Sequence, residues 1–299
     1  MKFVPWSAIT SISIVACTAS VTPTHIDEVQ RVVHPQYTVV LPPEPRATIV
    51  LFPCFSCDAA DTQAEFLIPK EAIANDVAVV LMEANERIFL TAQETGVLAD
   101  SIEAIMSTLG LGDKPVVYGG FSSGGNVAVL LAKEQQRAPR ASIDLRGLFV
   151  VDSPLDLAHL YRMSEKHQEH PVEGTAGEAR MVVRMLGSTL GTPTDSLHNY
   201  EACSPISESE QSIVPLKELA IRIYTEPDTA WWMENRGYSY EELNAARLED
   251  FHEQLLRMGH QRAELVITSG RGVQRGDRHP HAWSIVEEKE LVRWVLSLQ

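Results

Sequence analysis

The chain has 299 residues, long enough for one large domain with a sizeable core. Its 40 acidic residues outnumber 25 Lys and Arg for a net charge of -15. A surface that negative repels phosphate backbones and argues against a nucleic-acid partner. No phosphate loop, H-E-x-x-H pair or dinucleotide fingerprint occurs, so no cofactor or metal is implied.

Residues 1–24 read as a leader and tether. One cation, Lys2, precedes an apolar run too short to span a bilayer permanently. It ends in Ile14-Val15-Ala16-Cys17, which resembles the lipobox of bacterial lipoproteins. That resemblance implies cleavage before Cys17, lipidation of Cys17, and a membrane-anchored protein facing the periplasm or exterior. The small, hydroxylated stretch Thr18 to Thr24 suits a flexible tether. An ordinary cleaved signal is the alternative.

From residue 25 onward, strands and helices alternate as in a mostly parallel α/β sheet. Tyr37 to Leu41 and Ala47 to Phe52 predict strands separated by a proline-rich turn. The loop Pro53 to Asp58 follows, then a helical pattern from about Thr62 to Ala74. Cys54 and Cys57 within it form a C-x-x-C pair. No partner pair completes a zinc site, and acidic flanks disfavour a reactive thiolate, so a structural role, bridged if the chain is exported, is expected. Val77 to Met82 predicts a strand and Thr91 to Leu109 a helix closed by glycines.

Pro115 to Tyr118 then predicts a buried strand and Val127 to Leu131 the middle of a buried helix. Between them stands Gly120-Phe121-Ser122-Ser123-Gly124. A serine hydroxyl is a weak nucleophile, and catalysis requires it to be lifted toward a base and toward N–H groups that hold an oxyanion. A sharp strand-to-helix turn does both, and it needs small residues two positions before and after the serine. This G-x-S-x-G in its strand–turn–helix context resembles the nucleophile elbow of the α/β-hydrolase superfamily.

The resemblance implies an α/β fold with a helical cap inserted before the late strands and a serine–acid–histidine order along the chain. It implies Ser122 as nucleophile in the cleavage of an ester, thioester or amide. The oxyanion donors are expected to be the N–H of Ser123 and one from the loop after the second strand. Pro53 has no N–H, which leaves Cys54 or Phe55, with Phe55 preferred. After a strand over Arg146 to Val151, short helical patterns fill residues 154–215, with Leu155, Leu157, Leu160 and Tyr161 on one stripe and Met181, Val182, Met185, Leu186 and Leu190 on another. This segment matches the expected cap.

Leu219 to Tyr224 predicts the next strand, Glu241 to Met258 a helix, and Glu264 to Thr268 the last strand. By superfamily order the base falls in the loop before the final helix, where His281 is preferred over His279 because His281-Ala282-Trp283 resembles the His-x-Trp of many members. The acid is expected at Asp228, which follows the strand after the cap. Asp152 is the alternative, since some lipases carry the acid one strand earlier, and Glu226 is third. Trp231, Trp232 and Trp283 with the cap stripes suggest a small-molecule substrate carrying an acyl or aromatic group. The same scaffold also hosts non-catalytic binding proteins, which is the alternative function.

Overall fold

The computed structural model describes residues 28–83, 86–207 and 209–299. Cys17 and the expected leader and tether lie outside the described residues. The chain opens with a hairpin of β1 (Gln30–His34) and β2 (Tyr37–Leu41), then β3 (Ala47–Phe52), α1 (Ala59–Glu65), α2 (Ile68–Ile73), β4 (Val77–Met82) and α3 (Ala92–Thr108). The elbow joins β5 (Pro115–Phe121) to α4 (Ser123–Arg137), and β6 (Asp144–Val151) follows. Three helices come next, α5 (Leu157–His167), α6 (Glu173–Leu190) and α7 (Leu197–Cys203), before β7 (Ala220–Thr225). The rest is α8 (Thr229–Arg236), α9 (Asn244–Arg257), β8 (Ala263–Ile267), a small hairpin of β9 (Val273–Gln274) and β10 (Asp277–Arg278), and α10 (Glu288–Leu296).

The eight-stranded sheet has the order β1-β2-β4-β3-β5-β6-β7-β8, antiparallel through β1, β2 and β4 and parallel from β4 to β8. Side chains alternate between faces of a strand, so strands covered on both sides must be apolar almost throughout. β3 and β4 are buried at every position. Val50, Val80, Tyr118, Val150 and Ile223 point to one face, where Ile102 and Met106 of α3, Leu131 of α4 and Phe251 of α9 pack on them. Ile49, Val79, Val117, Phe149 and Tyr224 alternate to the other, against Phe66, Ile68 of α2 and Leu291 and Val295 of α10.

Three local differences from the expected elements have physical causes. The helix expected over Thr62 to Ala74 is two: α1 starts earlier, with an Asp58 capping box, and stops at Phe66, and Pro69 sits in the first turn of α2, where a missing N–H costs nothing. The Glu241 to Met258 helix begins as a 3-10 turn, Tyr240–Glu242, before α9. β1, whose side chains are mostly exposed, carries little apolar signal and goes unseen in the sequence.

The helices between β6 and β7 make a core of their own. Leu157 and Tyr161 of α5, Val182 and Leu186 of α6 and Tyr200 of α7 pack with Ile88 and Phe89 from the loop after β4. Asn126 of α4, fully buried, ties that loop to the elbow helix by donating to the Ile88 carbonyl at 2.8 Å.

Candidate active site

The site forms at the carboxyl ends of the parallel strands, the edge at which open α/β sheets bind ligands. Ser122 has φ 53° and ψ -127°, a conformation rarely adopted by a residue with a side chain. Such strain, of order 1–3 kcal/mol, persists only where the surroundings enforce it. They do so here through β5 before Ser122, α4 after it, and a hydrogen bond from its N–H to the Val151 carbonyl at 3.0 Å. The turn is tight enough that a Cβ on Gly120 would lie 2.2 Å from the Gly124 backbone. One on Gly124 would lie 2.1 Å from the Phe52 carbonyl. Glycine at 120 lets the end of β5 fold back against the start of α4, and glycine at 124 lets the end of β3 and the loop after it close on that helix.

That loop carries the expected second oxyanion donor. It is cross-linked by a Cys54–Cys57 disulfide with Cα atoms 5.1 Å apart, and a 3.0 Å hydrogen bond from Cys57 N–H to the Cys54 carbonyl closes the same turn. Phe55 lies inside the turn, and its ring packs against the cap core. Ser123 is buried at the first position of α4, where the helix dipole is positive.

The carboxylate beside His281 is Asp152. Parallel pairing of β5 with β6 sets Phe121 opposite Val151, so Ser122 and Asp152 are the next residues at two adjoining strand ends. Asp152 is buried and itself has a positive φ of 42°. Its Oδ2 lies 2.6 Å from His281 Nδ1. An ionised carboxylate only accepts, so Nδ1 carries the hydrogen and Nε2 is the nitrogen left to act as base. The His281 ring also lies 4.5 Å from that of Phe121, beside the residue that precedes Ser122. Asp152 Oδ1 accepts from the Thr225 hydroxyl at 2.8 Å, and the Asn244 amide donates to the Asp152 carbonyl at 2.9 Å.

Asp228, the acid preferred from the sequence, is engaged elsewhere. Its Oδ1 caps α8 by accepting from Trp231 N–H at 3.0 Å, and its Oδ2 accepts from Arg278 Nη2 at 2.7 Å. Glu226 is a structural carboxylate too. It is almost wholly buried, accepts from the N–H groups of Arg271 and Gly272 and the Thr268 hydroxyl, and pairs with Arg278 Nη2 at 2.6 Å. Arg278 adds a bond from Nη1 to the Gly272 carbonyl at 2.9 Å. Carboxylates at the end of β7 thus hold the loop that carries the histidines, and the residue paired with His281 comes from β6.

His279 is placed to support that loop. Its Nδ1 donates to the His281 carbonyl at 3.0 Å. Burial, then repulsion from His281 and Arg236, pushes its pKa down to about 4. Trp283 lies in the core beneath the site, stacked on Phe66 at 4.6 Å, and offers no surface to a substrate. Thr225, Asn244 and Arg278 have no motif that marks them: each acts through a partner far away in sequence. Among the described residues no three of His, Cys, Asp and Glu gather closely enough to hold a metal.

No protein-family model and no curated protein matches the chain. Solved structures do. A fluorophosphonate-binding serine hydrolase of Staphylococcus aureus, with substrate bound, is 14 % identical with a TM-score of 0.54, over 90 % of this chain and 97 % of that one. A carboxyl esterase of the fungus Tuber melanosporum is 13 % identical with a TM-score of 0.58, over 94 % and 88 %. An esterase of Pyrococcus furiosus is 10 % identical with a TM-score of 0.57, over 91 % and 89 %. Identities this low speak to architecture alone, and the architecture, an eight-stranded, mostly parallel sheet between helices with a helical insertion after β6, is that of the α/β-hydrolases.

Proposed function

We propose that the chain is a serine hydrolase that cleaves an ester, thioester or amide through an acyl-enzyme on Ser122. The observation that carries this reading is the convergence at one sheet edge of a strained serine and a histidine bonded at 2.6 Å to a buried carboxylate on the adjoining strand end. Ser122 Oγ attacks the carbonyl carbon while His281 Nε2 takes its proton. Asp152 holds the imidazole in the required tautomer and stabilises the imidazolium. The N–H groups of Ser123 and Phe55 receive the oxyanion, the second from a loop that the Cys54–Cys57 disulfide fixes. Collapse of the tetrahedral intermediate expels the leaving group, which takes the proton from His281. Water then repeats the sequence to release the acid.

Ser122→Ala is expected to lower turnover of p-nitrophenyl acetate and butyrate by about 10⁶-fold relative to wild type, because a triad works as a unit. Equal activity of the two proteins would remove Ser122 from the reaction. A lipidated Cys17 anchoring the hydrolase to a membrane belongs to the same proposal, and the bridged Cys54–Cys57 pair suits an oxidising compartment. Cys17→Ala should move the protein from the membrane to the soluble fraction of cells; a wild type already soluble would sink the anchor.

A further inference from the structure

Trp231 and Trp232 are consecutive on α8, a helix with no buried residue, yet each is only partly exposed. Consecutive helical residues point about 100° apart, so one packing face cannot cover both. They are covered by rings. Trp231 lies 5.2 Å from Trp232 and 4.7 Å from His279, and Trp232 lies 5.9 Å from His279, with interplanar angles between 62° and 87°. Trp232 also stacks on Tyr238 at 5.8 Å, and Tyr238 meets His167 of the cap helix α5 at 4.6 Å. An aromatic wall therefore runs from the histidine loop to the cap.

The wall is rigidly joined to the triad. Asp228 caps α8 and binds Arg278, the residue before His279, and the His279 ring is 6.4 Å from that of His281. The ring faces themselves carry no charge, and the Asp228 and Glu242 carboxylates are engaged by Arg278 at 2.7 Å and by His167 at 3.0 Å. His279 is neutral at ordinary pH. Partly open, uncharged π-faces that reach His281 by way of the His279 ring suit an uncharged planar group better than an ion.

We propose that Trp231, Trp232 and His279 form a subsite for a flat, uncharged aromatic group carried by the substrate, an assignment that rests on Ser122 being the nucleophile. The test separates ring chemistry from size. Ethyl phenylacetate and ethyl cyclohexylacetate differ in the π-system on the acyl side. Phenylethyl acetate and cyclohexylethyl acetate differ in it on the alcohol side. In one of these pairs the wild type should favour the phenyl compound by about two- to tenfold in kcat/KM. The double variant Trp231→Leu, Trp232→Leu should lose that preference, and Trp231→Phe with Trp232→Phe should keep part of it, which a purely structural role would not produce. A wild type indifferent to phenyl in both pairs, or a preference that survives in the leucine variant, overturns the subsite. If wild type turns over none of the four esters, fluorophosphonate labelling of Ser122 decides the nucleophile reading separately. Quenching of tryptophan fluorescence in Ser122→Ala by ethyl phenylacetate against ethyl cyclohexylacetate then decides the subsite: tighter binding of the phenyl ester upholds it, equal binding removes it.

Discussion

Asp152→Asn should lower kcat for a p-nitrophenyl ester by about 10⁴-fold with little change in fold, while Asp228→Asn should stay within about tenfold of wild type. The reasoning is atomic. An asparagine at 152 offers an amide where His281 Nδ1–H needs an acceptor, so the imidazole either loses its partner or turns to the wrong tautomer. The Thr225 hydroxyl and the Asn244 amide still hold the position, which keeps the change local. An asparagine at 228 still caps α8 through its carbonyl oxygen, and Arg278 keeps Glu226 at 2.6 Å. Steady-state kinetics on the purified variants, with circular dichroism to confirm folding, gives the ranking. A larger loss from Asp228→Asn would return the acid to β7.

His281→Ala should cost about 10⁶-fold in kcat, since without its base a triad loses nearly everything the triad supplies. His279→Ala should cost far less, because His279 touches the base only through the His281 carbonyl. The second variant has a signature in stability as well. The folded state holds the His279 pKa at about 4 against an ordinary 6.5, so the unfolded chain binds a proton that the native chain refuses. Stability is therefore lost as pH falls from 6.5 toward 4, and His279→Ala should remove part of that loss. Thermal melts at about pH 7 and about pH 4.5 should show a smaller drop in Tm for the variant than for wild type. Equal drops would mean that His279 is not held neutral by the fold.

Most of the sheet was legible because its strands are buried on both faces: unbroken apolar, β-branched runs such as ATIVLF of β3 and VAVVLM of β4 are too short for a core helix and suit a strand covered on both sides. The elbow was legible because its demand for glycine is local, with Gly120 and Gly124 contacting backbone only a few residues away or in the adjoining loop. The acid was not. Asp152, Asp228 and Glu226 all follow strands, and the choice among them depends on the register of β5 against β6 and on Arg278, which reaches back 50 positions to Asp228. Neither is a property of the residues near the carboxylates. Trp283 misled for a similar reason: its neighbour His281 is at the site, but its own ring turns inward to Phe66.

Covalent labelling bears most directly on the role of Ser122. Wild type treated with a fluorophosphonate probe, digested and mapped by mass spectrometry, should carry one adduct, on Ser122; Ser122→Ala should carry none, and His281→Ala should label far more slowly. An unlabelled wild type, or equal labelling of wild type and Ser122→Ala, would contradict the serine-hydrolase mechanism and leave a non-catalytic binding protein built on the same fold.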